Sequence, residues 1–228
     1  MRRHFEEQIE ECNARLLHMG EVAERMIDKS VQCLLDRSAE GHEEVFRLEE
    51  EVNNLHIEID ERVISALALQ HPVAADLRLL MMASKIAGEL ERIGDQAVNI
   101  CQHTGSFLQQ PRADLSTNIP SMSEVAREML KEGLQAFVRR DVGLAQKVLD
   151  TDDKVDAYKN QIFFGLLGHM MSEPATVPRA LALILISRSL ERVADHATNI
   201  AEEVIYVAQG RDVRHHHEER ISPPSDRG

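Results

Sequence analysis

The chain carries one ten-residue motif twice, one hundred residues apart, and this repeat restricts the fold more than any other feature. Residues 91–100 read ERIGDQAVNI and residues 191–200 read ERVADHATNI. Upstream, the EVA of residues 21–23 returns at residues 124–126, at an offset of 103. The offset changes only across proline-containing connections, where duplicated units tolerate a change of length. The sequence therefore predicts two copies of one module.

Each module has the pattern of long helices. Apolar residues recur every three or four positions, which is typical of amphipathic helices, and no segment alternates as a strand does. Short connections between long helices favour antiparallel neighbours. We therefore predict an all-α fold of six long antiparallel helices in two tandem three-helix bundles. The first helix includes Ile9 and ends near residues 38–41, and the others span about 43–70, 75–108, 122–138, 142–171 and 177–209.

Prolines and small polar residues mark the predicted boundaries. The second helix should end at His71-Pro72, because the residue before a proline is pushed out of the α region. Pro111 and Pro120 indicate a linker between the modules. The predicted organisation is repeat 1 at residues 1–110, a linker at 111–121, repeat 2 at 122–210 and a disordered, His-rich tail at 211–228.

The net charge of −13 argues against two classes of partner. Nucleic acids and anionic membrane surfaces both select basic faces. The longest apolar run, residues 180–186, is too short to span a bilayer, and the chain opens without a signal-peptide pattern. Cys12, Cys33 and Cys101 fall on apolar helix faces and form no C-x-x-C pair, as expected in a reducing compartment. We predict a cytoplasmic protein with no nucleic-acid partner and no membrane insertion.

The repeated motif places two carboxylates beside the buried face of the third helix. On a helical wheel Glu91 and Asp95 lie within about 40° of each other, among small side chains. Like charges at i and i+4 repel, so such a pair needs a compensating cation. Carboxylate oxygens are ligands suited to Mg, Ca, Mn or oxidised Fe. Glu191 and Asp195 repeat the arrangement in the second module.

Further acidic residues on the second helix of each module extend the candidate sites. Asp152 and Asp156 repeat the four-residue spacing, and their counterparts at the 103 offset are Glu49 and the uncharged Asn53. A solvated acidic face or a duplicated packing motif would give the same pattern. His196, which replaces Gln96 of the first motif, is predicted to be a surface residue. No Glu-x-x-His motif and no phosphate-binding glycine loop is present, so the residues indicate no enzyme.

Several segments together resemble one family. They are ADLRL at 75–79, ELERIGD at 89–95, DDKVD at 152–156, MMSE at 170–173 and SLERVAD at 189–195. The chain is similar, over nearly its whole length, to the PhoU family of phosphate-regulon regulators. Two positions depart from the pattern: Ala194 stands where the family often has glycine, and Asn53 interrupts the acidic motif of the second helix.

The resemblance implies a fold, a site and a role. The fold would be two three-helix bundles related by a pseudo-two-fold axis, and a homodimer is expected. Metal ions (Fe, Mn, Zn or Mg) would bind at carboxylates, which by matching are Glu91, Asp95, Glu191, Asp195, Glu49, Asp152 and Asp156. The protein would be a non-catalytic negative regulator of phosphate uptake and the phosphate-starvation response, coupling the ATPase subunit of the phosphate ABC transporter to a sensor histidine kinase. A metal-dependent hydrolase of phosphate compounds and a purely structural helical bundle are the alternatives.

Overall fold

The computed structural model describes residues 2–70, 72, 74–110 and 117–210. Over these residues it contains six α-helices and a single 3₁₀ turn, Pro174–Thr176, and no strand. The predicted all-α fold of six long helices is confirmed. The helices are α1 Arg2–Leu35, α2 His42–Gln70, α3 Ala74–Leu108, α4 Ile119–Arg139, α5 Val142–Ser172 and α6 Val177–Gln209.

The helices pack as two bundles of three. Within each bundle every helix contacts the other two, and helices that follow one another in the chain run antiparallel. In the first bundle, for example, His18 Nε2 on α1 lies 3.3 Å from Glu51 Oε1 on α2. Arg25 comes later in α1, and its Nη2 atom lies 3.6 Å from Oε1 of Glu44, which comes earlier in α2, so the two helices run in opposite directions. Over the described ranges the bundles meet only through α3 against α6 and α1 against α4. Both contacts join equivalent helices, which is the arrangement that a pseudo-two-fold axis produces.

One continuous hydrophobic core runs through both bundles, with buried apolar side chains from all six helices. Ile93 and its counterpart Val193 are both fully buried, as the helical periodicity predicts. The departure at Ala194 has a simple explanation. A Cβ added at the equivalent Gly94 would lie 3.5 Å from Met26, an ordinary van der Waals distance, so alanine fits at this position. The three cysteines are buried and unpaired.

Two helix boundaries differ from the prediction for local reasons. α4 begins at Ile119, inside the predicted linker, because Pro120 occupies the first turn, where a missing N–H costs nothing. α1 ends at Leu35, and Arg37 then adopts a left-handed conformation with φ of 52°. Arg140, at the 103 offset from Arg37, has φ of 53° after α4. The two modules therefore end their first helices in the same way.

Three sequence predictions fall outside the described residues: His71 at the break after α2, most of the linker, and the tail at 211–228. In the described part of the chain, no helix combines the length and the apolar character that crossing a membrane requires.

Candidate metal centres

The first carboxylate cluster lies between α2 and α3. It consists of Glu49 on α2 with Glu91 and Asp95 on α3. Burial raises the pKa of Glu49, and the negative charges of Asp95, Glu50 and Glu91 raise it further. The predicted residues of the first repeat are therefore near enough for their charges to act on one another.

Among the residues that the structure describes, no cationic side chain neutralises this first cluster. Over the described residues, no side chain forms a hydrogen bond or an ion pair with Glu49, Glu91 or Asp95. Glu49 and Glu91 are half-buried and Asp95 is exposed, so the cluster opens to solvent on one side. Three negative charges without a counter-ion favour a cation at this position.

The second cluster, between α5 and α6, consists of Asp152, Asp156, Glu191 and Asp195. Burial raises the pKa of Asp152 to about 6, and the nearby charges of Asp195 and Asp156 are the next largest causes. Partial desolvation and the charge of Glu191 likewise raise the pKa of Asp195. The carboxylates predicted in the second repeat are thus also brought together.

Lys159 distinguishes the second cluster from the first. Its Nζ atom donates a hydrogen bond to Glu191 Oε1 at 3.1 Å and another to Asp156. These bonds raise the pKa of the lysine, that to Asp156 most strongly. The residue at the 103 offset in the first repeat is His56, whose Nε2 lies 3.6 Å from Asp60 instead. The second cluster therefore contains its own counter-ion.

The donor chemistry of both clusters suits a hard cation, because every candidate ligand is a carboxylate oxygen. The side-chain positions are less compact than a formed site requires. Over the described residues, no group of three or more His, Cys, Asp or Glu side chains is arranged so that it could hold a metal ion. Ion binding would therefore require the carboxylates to change rotamer and, in the second cluster, Lys159 to leave Glu191.

A polar contact links the two repeats near the clusters. Glu89 on α3 accepts a hydrogen bond from Asn199 Nδ2 at 2.9 Å, and His196 Nδ1 lies 2.8 Å from the same carboxylate oxygen. Burial raises the pKa of Glu89, but the bonds from His196 and Asn199 and the charge of Arg92 outweigh it and lower the pKa overall. The prediction that His196 is a surface residue is wrong, because its side chain is only 16% exposed and faces the other repeat.

Comparison with known proteins identifies the family. Residues 16–104 and 119–204 each match the PhoU domain. The chain is 35% identical over 210 residues to the phosphate-specific transport system accessory protein PhoU homolog of Aquifex aeolicus, covering 92% of this chain and 95% of that protein. It is 31% identical over 211 residues to the phosphate-specific transport system accessory protein PhoU of Escherichia coli, covering 92% and 88% of the two chains.

Solved structures agree with this assignment. The crystal structure of PhoU from Pseudomonas aeruginosa superposes with a TM-score of 0.84 at 33% identity, covering 91% of this chain and all of that one. A second, the phosphate transport system regulatory protein PhoU from Streptococcus pneumoniae, has a TM-score of 0.84 at 24% identity, over 92% of this chain and 99% of that one, and supports the fold alone. The family match spans both repeats and both carboxylate clusters, and the chain belongs to the PhoU family.

Proposed function

We propose that the protein is a regulatory accessory protein of phosphate uptake that works in the cytoplasm without catalysing a reaction. The observation that carries this proposal is the match of both repeats to relatives named as accessory proteins of the phosphate-specific transport system. The finer proposal is a negative regulator, acting as a homodimer, that connects the ATPase subunit of a phosphate ABC transporter to a sensor histidine kinase. Its long amphipathic helices would provide the contact surfaces.

The chemistry of the described residues supports a role without catalysis. A reactive cysteine needs a thiolate in an accessible, electropositive environment. Here burial raises the pKa of Cys12 to about 11 and that of Cys101 to about 12, so these thiols stay protonated at neutral pH. Burial and the charges of neighbouring carboxylates raise the pKa of Glu49 and of Asp152, and a bound cation would relieve this repulsion.

We further propose that each carboxylate cluster binds a divalent or trivalent metal ion (Fe, Mn, Zn or Mg). The uncompensated charge of Glu49, Glu91 and Asp95 supports this proposal in the first repeat. In the second repeat the grouping of Asp152 with Asp195 and Asp156 supports it, because burial and then the charges of these neighbours raise the pKa of Asp152, and a bound cation would offset both effects. A bound ion would join α2 to α3, and α5 to α6, by direct coordination.

The regulatory proposal is tested in cells. Deleting the gene from its native host should release alkaline phosphatase or another phosphate-starvation product in phosphate-rich medium, and the wild-type gene on a plasmid should restore repression. Repression that is unchanged by the deletion would refute the proposed role. A Glu91→Ala/Asp95→Ala/Glu191→Ala/Asp195→Ala variant in the same strain then shows whether the carboxylates are needed for repression.

The metal proposal is tested separately with purified protein. Chelator-treated protein is titrated with Mn²⁺ or Mg²⁺ while its thermal unfolding is followed, since a ligand that binds only the folded state raises Tm. Glu91→Ala/Asp95→Ala and Glu191→Ala/Asp195→Ala should each reduce the shift. The exposed neighbours Glu50 and Asp153 provide the control, Glu50→Gln/Asp153→Asn, which should respond as the wild type does. A wild-type Tm that no metal changes would contradict the proposal.

A further inference from the structure

Arg179, in the first turn of α6, is a buried cation. Only 3% of its surface is exposed, and its Nε and Nη1 atoms are fully buried without a hydrogen-bond partner among the described residues. Its guanidinium carbon lies 5.7 Å from the centre of the Phe107 ring at the end of α3. The ring face attracts the positive charge, but it does not replace oxygen acceptors for the in-plane N–H groups.

A second arginine shares the same ring. The guanidinium carbon of Arg37, in the connection after α1, lies 4.8 Å from the centre of the Phe107 ring. Burial lowers the pKa of Arg179, and the charge of Arg37 lowers it further. Glu173 acts in the opposite direction, yet it forms no ion pair with either arginine. Over the described residues no carboxylate pairs with Arg37 or Arg179.

Arg37 and Arg179 thus place two positive charges beside the Phe107 ring, and among the described residues no anion pairs with either of them. Guanidinium groups present forked N–H donors that match the oxygens of phosphate or carboxylate. The amino-terminal end of the long helix α6 adds a partial positive charge at the same place. We propose that Arg37 and Arg179 bind a small oxyanion of the phosphate or sulfate type beside Phe107.

This oxyanion site is separate from the carboxylate clusters and occurs in one repeat only. Arg179 and Glu191 are twelve residues apart on α6, or about 18 Å along the helix axis. In the other repeat the position equivalent to Phe107 is Val207 and that equivalent to Arg179 is Leu79. Arg140 still corresponds to Arg37 and has the same left-handed backbone. Arg140 therefore provides a control that differs from Arg37 only in its surroundings.

The test uses the full chain after chelator treatment, so that a metal cannot bind the anion. Inorganic phosphate is titrated by calorimetry and by thermal unfolding. The wild type should bind phosphate and gain in Tm. Arg179→Met, which keeps an apolar side chain against Phe107, and Arg37→Gln should each weaken binding at least tenfold, whereas Arg140→Gln should bind as the wild type does.

Three further titrations identify the chemistry of the ligand. Sulfate should bind comparably if any small tetrahedral oxyanion is accepted, ATP should bind if the natural ligand is a phosphoryl group on a larger molecule, and acetate should not bind. Absence of phosphate and sulfate binding by the wild type, or unchanged binding by Arg179→Met, would overturn the proposal. If Arg179→Met does not fold, the comparison of Arg37→Gln with Arg140→Gln decides. The outcome does not depend on the regulatory role or on metal binding.

Discussion

His196 of α6 lies 2.8 Å from the carboxylate of Glu89 on α3, so a polar contact ties the two repeats together beside the candidate metal centres. Both side chains are largely buried, with 16% and 15% of their surface exposed. The equivalent residues Gln96 and Ser189 do not provide an imidazole and a carboxylate. The contact is therefore specific to one side of the pseudo-two-fold arrangement.

Replacing His196 by alanine should destabilise the protein by about 1–3 kcal/mol, because the largely buried Glu89 carboxylate loses a hydrogen-bond partner. The free energy of unfolding in urea at pH 7 measures the effect. Arg192→Ala, at an exposed position on the same helix, should change it by less than about 0.5 kcal/mol. Equal stability of the His196→Ala variant and the wild type would show that the contact is not formed in solution.

Asp152 gives the stability of the metal-free protein a defined pH dependence. Its pKa is about 6 in the folded protein and 3.8 in the reference state, so the folded state binds the proton more tightly. The stabilisation that comes from protonating Asp152 is fully present below the reference pKa and is lost as the pH rises through about 6. Asp152→Asn should therefore be more stable than the wild type by about 1–3 kcal/mol at pH 7.

At pH 4 the free energy of unfolding of Asp152→Asn should be close to that of the wild type, because the Asp152 side chain of the folded wild type is largely protonated at this pH. Urea unfolding at both pH values, in the presence of a chelator, measures the two differences. Asp153→Asn is the control. Asp153 is exposed and is a lesser cause of the raised pKa of Asp152, so this variant should show a smaller difference between the two pH values. A stabilisation of equal size at pH 4 and pH 7 would rule out titration of Asp152 as the cause.

Lys159 should compete with metal ions for the second cluster. Lys159→Met removes the bonds to Glu191 and Asp156, which should raise the affinity of that cluster for Mn²⁺ about tenfold, equivalent to about 1.4 kcal/mol. The matched control is His56→Gln at the equivalent position of the first repeat, where no such competition exists. Calorimetric titration of the chelator-treated variants with Mn²⁺ measures the affinity of each. Lower affinity in Lys159→Met would indicate that the lysine helps to position the carboxylates.

The buried thiols should react slowly in the folded protein. Burial raises the pKa of Cys101 to about 12 and that of Cys12 to about 11, so little thiolate is present at pH 8. Alkylation by iodoacetamide, followed by mass spectrometry, should be at least tenfold slower in native protein than in urea. Equally rapid labelling of native protein would mean that α1 and α3 open readily.

Much of this structure can be predicted from the repeat and its periodicity. The repeated apolar positions identify the buried faces, as Ile93 and Val193 illustrate, and the 103 offset relates α2 to α5 correctly. The same offset matches Glu49 to Asp152, but only the resemblance to a known family grouped these two residues with the carboxylates of α3 and α6. The sequence analysis did not identify Lys159. Helical periodicity could have done so, because Lys159 lies within about 20° of Asp152 on the helical wheel.

Other features depend on how the two bundles pack together. The contact between Glu89 and His196 requires α3 and α6 to lie antiparallel at one particular register, which no pattern within a single helix specifies. The burial of Arg179 against Phe107 has the same origin. The start of α4 could not be predicted from Pro120 alone, because proline is common both in loops and in the first turn of a helix.

Metal content is the most direct test of the claim that the repeated carboxylates form ion sites. The untagged full chain, the Glu91→Ala/Asp95→Ala/Glu191→Ala/Asp195→Ala variant and a chain truncated after Val213 would be purified without chelator and measured by inductively coupled plasma mass spectrometry. We expect stoichiometric metal in the wild type and in the truncated chain, and its loss from the four-site variant. Metal retained by the four-site variant, or absent from the wild type, would show that these carboxylates are not the ion sites.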